Sequence, residues 1–358
     1  MKHLLLLLLV LASCSKKETS SKLEDLPLNK IQLIGSHNSY KQAIDSALFS
    51  VIKEKDSSMA SHLDYSHISL SEQLSLGLLN LEIDFYADTT GGKYAHPNGL
   101  KWAGKDAKVS TYDPDSLMKQ PGFKVFHVQD LDFRSNCLTL EKCLLELRDW
   151  SDTHKGHNPV FITMNAKDDT IDKPGFSVPE KFTSGLFDAL DALIVKTLGA
   201  EKIITPDSIR GDHATLQEAV LNGGWPAVSK AKGKFIFILD EGAENSDRYR
   251  QGHPSLTGRV LFTNAEPGQS DAAIVILNDP DKDFSRIQEY VKKGYIIRTR
   301  ADAETREARN NDTTRFVKAC ASGAQIVTTD YYQVSTHFPS TYSVKFKEGG
   351  YLRKNPLF

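Results

Sequence analysis

The sequence predicts an α/β fold, a TIM-type (β/α)8 barrel of the kind found in phosphodiesterases. Eight short apolar runs alternate along the chain with longer helix-like segments. Runs such as 159–164 and 234–239 are rich in Ile, Val, Phe and Leu without strict alternation, which is typical of parallel strands buried on both faces. Polar side chains follow at the ends of several runs, where a barrel keeps its active site.

The predicted elements cover residues 27–358, and no long linker or internal repeat divides this stretch, so we expect a single catalytic domain there. Residues 85–123, which contain several Gly and Pro residues, are expected to pass over one mouth of the barrel as a long excursion. The chain from about residue 336 has a weak pattern and is expected to be a tail. Strands are predicted at 31–34, 79–84, 124–128, 159–165, 234–240, 259–264, 294–300 and 325–330, with helices at 139–150, 180–197, 282–293 and 304–321.

The amino terminus has the features of an export signal. A basic start is followed by an apolar run over 4–12 that is too short to span a bilayer. The junction Leu11-Ala-Ser-Cys14 resembles a bacterial lipobox, in which Cys14 becomes the lipidated first residue. We therefore expect a lipoprotein signal peptide at 1–13, a flexible tether at 14–26, and an exported lipoprotein held by Cys14 on the periplasmic or surface side of the cell envelope.

Composition restricts the remaining partners and the redox chemistry. A net charge of -2 without a long basic run makes nucleic acid an unfavoured partner. Cys137 and Cys143 are six residues apart, and an oxidising compartment would permit a disulfide, but a helix cap at Thr139 leaves pairing and free thiols equally weighted. Cys320 lies on an apolar helix face and is expected in the core.

Two carboxylates and a neighbouring amide predict a cation site. Glu82 and Asp84 are two apart on a predicted strand, so both side chains emerge on one face, where they repel unless a positive charge lies between them. Asn38 follows the first predicted strand and can add a carbonyl oxygen. Oxygen ligands without Cys favour calcium or magnesium over zinc. The alternative is that the two carboxylates are solvated residues at a strand end.

Two histidines at the ends of the first and third predicted strands are candidates for acid/base catalysis. His37 follows 31–34, and His127 follows Val125-Phe126. Histidine exchanges protons near neutral pH, which general acid/base catalysis requires. Singly each would more often be an ordinary core or loop residue, but beside the carboxylates they form a plausible catalytic set.

Further polar residues at predicted strand ends suit an anionic substrate. After the fourth strand, Asn165 could complete a metal shell and Lys167 could neutralise a phosphate. Arg298 and Arg300 share a face of the seventh strand, and cations at a barrel mouth favour an anionic ligand. Asp330 and Tyr331 after the eighth strand complete the predicted substrate-binding set. A purely structural Arg-Asp network is the equally weighted alternative.

At these residues the chain resembles the calcium-dependent phosphatidylinositol-specific phospholipase C family of secreted bacterial enzymes. Each matching stretch is short, but their order and number make the resemblance specific. The stretches are Gly35-Ser-His-Asn-Ser-Tyr40, Leu81-Glu-Ile-Asp-Phe85, Phe126-His127, Asp132-Phe-Arg-Ser-Asn-Cys137, Thr205-Pro-Asp-Ser-Ile-Arg-Gly211, Gly223-Gly-Trp-Pro226, Asn278-Asp-Pro280, Arg298-Thr-Arg-Ala-Asp302, Ser322-Gly-Ala-Gln325 and Thr329-Asp-Tyr331.

The resemblance implies a single calcium ion and cleavage between glycerol and phosphate, which gives diacylglycerol and an inositol cyclic phosphate. It implies that His37 and His127 are the catalytic pair and that Asn38, Glu82 and Asp84 are calcium ligands. Within the pair, we assign His127 to protonating the glycerol oxygen and His37 to the phosphoryl centre. Related eukaryotic enzymes supply a further Glu ligand, whereas the candidate here is Asn165. The implied partner is an inositol phospholipid.

Two other functions remain open from the sequence. A glycerophosphodiester phosphodiesterase is also a metal-dependent barrel, but its His-Arg-Gly motif is replaced here by His37-Asn38-Ser39. A surface lipoprotein that binds inositol or a glycan without turnover is the alternative from another class. The complete set of His37, Glu82, Asp84 and His127 argues against it.

Overall fold

The computed structural model describes residues 22–104 and 110–358. The predicted signal peptide, Cys14 and most of the tether lie outside these residues. In this part of the chain the strands are β1 (Ile31–Ser36), β2 (Asn80–Asp88), β3 (Gly122–Lys124), β4 (Val160–Ala166), β5 (Phe235–Leu239), β6 (Phe262–Thr263), β7 (Ile274–Ile276), β8 (Ile296–Arg300), β9 (Ile326–Thr329) and β10 (Leu352–Lys354).

The helices alternate with the strands. They are α1 (Ser46–Lys55), α2 (Ser57–Leu63), α3 (Leu70–Leu76), α4 (Gly99–Trp102), α5 (Leu140–Thr153), α6 (Ser184–Leu198), α7 (Pro206–Arg210), α8 (Leu216–Leu221), α9 (Val228–Ala231), α10 (Ala243–Arg250), α11 (Phe284–Lys293), α12 (Arg306–Asn310) and α13 (Thr314–Ser322). Across the described residues, no helix is both long enough and apolar enough to cross a membrane.

Eight strands form the barrel in two halves. Parallel pairing joins β2, β4, β5 and β6 in one half, and β7, β8, β9 and β1 in the other. One seam between the halves is bridged where Ser39 N donates to Glu82 O at 2.9 Å. At the other seam, Asn264 pairs in parallel with Ile274. The predicted (β/α)8 barrel is confirmed.

A glycine lets the first seam close. A Cβ atom at Gly35 on β1 would lie 2.4 Å from the Cβ of Asn80 at the start of β2. Non-bonded carbon atoms do not approach so closely, so a side chain here would push the two strands apart. Because His37 and Asn38 directly follow β1 while Glu82 and Asp84 lie on β2, Gly35 indirectly sets the spacing of these predicted residues.

One predicted barrel strand was wrong and one barrel strand was missed. Most of the apolar run at 124–128 is buried but is not in a strand. Only its first residue belongs to a strand, β3, which pairs antiparallel with the end of β2. The missed strand is β7, which is only three residues long. The strand is short, and apolar residues continue on both sides of it, so the sequence shows neither its ends nor an alternation of apolar and polar residues.

The carboxyl-terminal region is also more ordered than predicted. Instead of a tail, the chain beyond residue 336 packs Tyr342, Val344 and Phe346 into a buried cluster, and β10 pairs antiparallel with β1. The predicted helix at 304–321 is two helices, because Asn311 between them adopts a left-handed conformation with φ of 51°. Cys137 and Cys143 form a disulfide with their Cα atoms 5.3 Å apart.

Candidate active site at the carboxyl end of the barrel

The turn after β1 places the first histidine and the first amide. His37 N donates to Thr329 O of β9 at 3.1 Å, which ties the turn to the neighbouring strand. Asn38 has a positive φ of 46°, a conformation that asparagine tolerates better than most residues. Its side chain is buried, and its Nδ2 donates to the Tyr65 hydroxyl at 2.8 Å.

A buried aspartate orients His37. His37 Nδ1 lies 2.8 Å from Oδ1 of Asp330, the residue directly after β9. Because a carboxylate only accepts hydrogen bonds, Nδ1 carries the hydrogen, and Nε2 faces the other residues of the site. Burial opposes ionisation of Asp330, but His37 and Arg300 outweigh it and lower the pKa of this carboxyl. Asp330 therefore stays charged and holds the imidazole.

The second histidine is held in the same way by a different part of the chain. His127 lies in the connection between β2 and β4, and its Nδ1 donates to Asp132 Oδ2 at 2.8 Å. The Tyr86 hydroxyl on β2 donates to His127 O at 2.9 Å, which brings this turn to the carboxyl end of β2. Asp132 is fully buried and also lies 3.3 Å from Lys41 Nζ.

Glu82 on β2 has a strong partner across the barrel. Its Oε2 accepts a hydrogen bond from the guanidinium of Arg298 on β8, and its Oε1 lies 3.6 Å from His37 Nε2. Burial opposes ionisation of Glu82, but Arg298 and His37 prevail and lower the pKa of this carboxyl. Arg298 also donates to Asn278 Oδ1 at 2.6 Å, so it is an internal counter-cation of the site.

The second predicted carboxylate lies beside the predicted residues of β4. Asp84 is directly opposite Asn165 in the β2–β4 register, and Asp84 Oδ2 lies 3.7 Å from Lys167 Nζ. Asn165 Nδ2 donates to Asp240 O at 2.9 Å, which fixes the orientation of the amide. Nearness to Asp84 is the main cause that raises the pKa of Lys167. The structure thus brings the predicted metal-binding residues to one mouth of the barrel.

The structure adds a third carboxylate that the sequence reasoning missed. Asp240 directly follows β5, and its Oδ2 lies 3.7 Å from Arg298 Nη1. Burial raises the pKa of Asp240 to about 6, and the charges of Glu82 and Asp84 add to the rise while Arg298 opposes it. Negative charge is therefore concentrated along the barrel axis. Asp240 closes the predicted strand 234–240, so its position at a strand end was a usable signal.

The donor set fits calcium in kind. Within residues 22–104 and 110–358, no three His, Cys, Asp or Glu side chains are grouped closely enough to hold a metal ion by themselves. Calcium accepts amide oxygens as readily as carboxylates, so the oxygens of Asn38 and Asn165 would complete a shell with Glu82 and Asp84. Glu82 is the ligand whose release from Arg298 would be required.

The predicted substrate-binding residues differ in whether a substrate could reach them; Arg298 is already paired with Glu82. Lys167 and Arg300 are part-buried at the mouth, each beside a carboxylate of the site. Asp330 is committed to His37 and Arg300, so it orients catalytic groups. Tyr331 is buried against Phe338 and Tyr342, and this placement gives no support to its predicted contact with substrate.

Another residue that the sequence did not single out lies behind the first histidine. His67 is buried, its ring stacks on Tyr332 at a centroid distance of 5.4 Å, and its Nε2 lies 3.9 Å from Asp330 Oδ1. Burial lowers the pKa of His67 to about 4, so the ring is neutral. Nothing in the local sequence distinguishes it from an ordinary loop histidine.

Comparison with known proteins agrees with this geometry. The family model for Ca2+-dependent phosphoinositide phospholipase C matches residues 26–356. No curated protein matches the chain significantly. Among solved structures, the fold is similar to a calcium-dependent phosphoinositol-specific phospholipase C from a Pseudomonas species, with a TM-score of 0.56, 17% identity, and coverage of 92% of this chain and 96% of that one.

A second solved structure has the same fold. The Ca2+-dependent phosphatidylinositol-specific phospholipase C from Streptomyces antibioticus gives a TM-score of 0.54 at 19% identity, over 86% of this chain and 95% of that one. The family match spans nearly the whole chain. The chain belongs to the Ca2+-dependent phosphoinositide phospholipase C family, and is therefore a calcium-dependent enzyme that cleaves phosphatidylinositol-type lipids.

Proposed function

We propose that His37 and His127 carry out the cleavage between glycerol and phosphate. The inositol 2-hydroxyl oxygen attacks phosphorus, the bond to the glycerol oxygen breaks, and the products are diacylglycerol and an inositol cyclic phosphate. One proton leaves the 2-hydroxyl for a carboxylate of the mouth, and one passes to the glycerol oxygen from Nε2 of the imidazolium form of His127, which keeps its Nδ1 hydrogen on Asp132. The observation that carries this proposal is the matched pair of histidines, each oriented through Nδ1 by a buried aspartate.

The remaining cations of the mouth fit the phosphate. His37 Nε2 lies 3.6 Å from Glu82 Oε1, which places the ring beside a phosphodiester that enters the mouth. Lys167 and Arg300 are each part-exposed, so their charges can reach a phosphodiester that enters the mouth. Positive groups on two sides of the phosphorus would stabilise the charge that develops on its oxygens during attack.

Calcium would be held by Asn38, Glu82, Asp84 and Asn165. When bound, it lowers the pKa of the attacking hydroxyl and offsets charge on the phosphate. Because Arg298 already holds Glu82, the guanidinium competes with the cation for this carboxylate. We therefore expect Arg298→Gln to bind calcium about tenfold more tightly by calorimetry, since one competing charge is gone. Arg148→Gln, which removes an exposed arginine on α5 that pairs with Asp149, should leave calcium affinity unchanged, and an equal affinity in both variants would contradict the competition.

The test of the proposed reaction separates metal binding from turnover. The full-length protein in detergent is mixed with phosphatidylinositol, and diacylglycerol and cyclic inositol phosphate are measured with calcium and then with excess chelator. We expect release with calcium and at least a hundredfold loss with chelator. Asp84→Asn should lose both calcium binding and turnover, whereas His127→Gln should bind calcium normally and lose turnover only. Absence of product from folded, calcium-bound wild type would refute the proposal.

We propose separately that the chain is an exported lipoprotein of the cell envelope, anchored through Cys14. The support is the Leu11-Ala-Ser-Cys14 motif that ends the apolar run. Cys14→Ala should move the protein from the membrane fraction to the soluble fraction in a bacterial host. An unchanged distribution would contradict the anchor.

A further inference from the structure

An apolar cavity of about 570 Å3 lies beside the candidate active site and plays no part in the mechanism above. Its walls come from α1, α2, the segment around α4, the turn after His127, and the connection after β4. Its volume is within the range of small-molecule binding pockets. Apolar side chains dominate the lining, including Leu48, Ile52, Met59, Trp102, Leu131 and Phe176.

One wall of this cavity is the turn that carries the second histidine. Val128 and Leu131 line the cavity, and they belong to the turn that His127 and Asp132 close. Within it, Val128 N donates to Asp132 O at 3.0 Å and His127 N donates to the same oxygen at 3.2 Å. Because His127 is assigned to the glycerol oxygen, the cavity lies on the side of the leaving group.

The rim differs in charge from the interior. Lys55 on α1 and Lys173 after β4 are exposed at the edge of the cavity, together with Asp56. Lysines at the rim of an apolar cavity suit a ligand with an apolar body and an anionic head. A phospholipid that enters the barrel mouth head first has this distribution of charge.

We propose that this cavity binds an acyl chain of the phosphoinositide substrate, so that the length of this chain determines how efficiently the enzyme cleaves the substrate. The proposal rests on the proposed function, because it uses the assignment of His127 to the leaving glycerol. Val128 and Leu131 in the cavity wall belong to the turn that carries His127, so a chain esterified to the leaving glycerol would start next to the cavity.

The first test varies chain length in substrates that dissolve as monomers. Calcium-dependent cleavage of dibutyroyl and dihexanoyl phosphatidylinositol is measured with the full-length enzyme. Each buried methylene favours binding about fourfold, so two extra methylenes on one chain should raise kcat/KM about 15-fold. Equal kcat/KM for the two substrates would overturn the proposal.

A cavity-filling variant localises the effect. Val51 on α1 lines the cavity, and Val51→Trp should reduce the ratio between the two substrates from about 15 to near 1. Val195→Trp is the matched control, because Val195 is a partly exposed helical valine on α6 outside the cavity. The control should keep the full ratio. A ratio that both variants keep, or that both lose, would overturn the assignment to this cavity.

A binding measurement keeps the proposal testable if Val51→Trp fails to fold or if the lipid is not cleaved. Trp102 lines the cavity, so a dibrominated fatty acid bound there should quench its fluorescence in the wild-type enzyme. Trp102→Phe should remove that quenching, whereas Trp225→Phe, which removes a buried tryptophan outside the cavity, should retain it. Quenching without phosphatidylinositol cleavage would support the cavity and refute the proposed function. Cleavage of phosphatidylinositol without Trp102-dependent quenching would support the proposed function and refute binding of the acyl chain in this cavity.

Discussion

The two histidines of the active site are held by the same chemistry but by different parts of the fold. His37, directly after β1, pairs with Asp330, which lies 293 positions later and directly follows the neighbouring strand β9. His127 pairs with Asp132 only five positions away, in a turn outside the barrel strands. Barrel register positions the first pair, whereas local turn geometry positions the second.

Buried interactions compensate for the missing strand around His127. Lys41 and Asp132 are both fully buried and lie 3.3 Å apart. Asp130, in the left-handed region with φ of 62°, accepts hydrogen bonds from Asn98 N at 2.7 Å and Ser177 N at 2.6 Å. The loop-borne half of the site thus depends on a few buried charges, while the strand-borne half depends on many backbone hydrogen bonds.

The largest effect is expected on turnover. His37→Ala and His127→Ala should each lower kcat about 10²- to 10⁴-fold, the usual contribution of a general acid or base. A nitrophenyl inositol phosphate, whose leaving group needs no proton, separates their roles. His127→Ala should recover most of its activity on this substrate and His37→Ala should not. Equal recovery by both variants would contradict the assigned roles.

The next effect is on stability and should differ between the two aspartates. Asp132→Asn leaves the buried charge of Lys41 without its carboxylate, which should cost about 3 kcal/mol in the free energy of unfolding. Asp330→Asn should cost less, because its partners Arg300 and His37 are each 17% exposed and water can replace the lost interaction. Urea unfolding in the presence of chelator measures both without a contribution from calcium.

The charge argument has its own control. Lys41→Met combined with Asp132→Asn removes the unpaired charge and should recover part of the loss, although Lys41 also donates to Leu63 O at 3.0 Å and Tyr65 O at 2.8 Å. A double variant as unstable as the sum of its parts would assign the cost of Asp132→Asn to something other than Lys41. A larger loss for Asp330→Asn than for Asp132→Asn would reverse the comparison.

The same contrast explains what could be predicted from sequence. Glu82 and Asp84 were identified because a strand alternates its side chains and a barrel gathers strand ends at one mouth. The pairing of Glu82 with Arg298 could not be predicted, because it joins two strands across the barrel that are far apart in sequence. His127 was identified because it follows the apolar run Val125-Phe126, which was predicted to be part of a barrel strand but is not one. Its partner Asp132 depends on a turn conformation that no periodicity reveals.

The disulfide should have a smaller effect, confined to the loop-borne half. It lies just after the turn of His127, where Val125 N donates to Leu138 O at 3.0 Å and Cys137 is joined to Cys143 at the start of α5. Closing so short a loop should contribute about 2 kcal/mol to the free energy of unfolding. Cys137→Ala with Cys143→Ala should lose this amount, measured by urea unfolding. Cys320→Ala removes a free buried cysteine, so reductant should still lower the free energy of unfolding of this variant as it does that of the wild type. If reductant has no effect on Cys320→Ala, the Cys137–Cys143 disulfide is not the source of the effect in the wild type.

The smallest effect is expected at Tyr331. Its hydroxyl is buried, and among the described residues it has no hydrogen-bond partner, so Tyr331→Phe removes an unsatisfied group. Stability should change by less than about 0.5 kcal/mol or rise slightly, and kcat/KM should stay within about twofold of wild type. Tyr65→Phe is the matched variant, because the Tyr65 hydroxyl accepts the hydrogen bond from Asn38 Nδ2. Losing that contact should weaken calcium binding by roughly tenfold in calorimetry. If Tyr331→Phe loses as much activity as Tyr65→Phe, Tyr331 contributes to substrate binding. The strand-borne half of the site then includes Tyr331 although its contacts give no sign of this role.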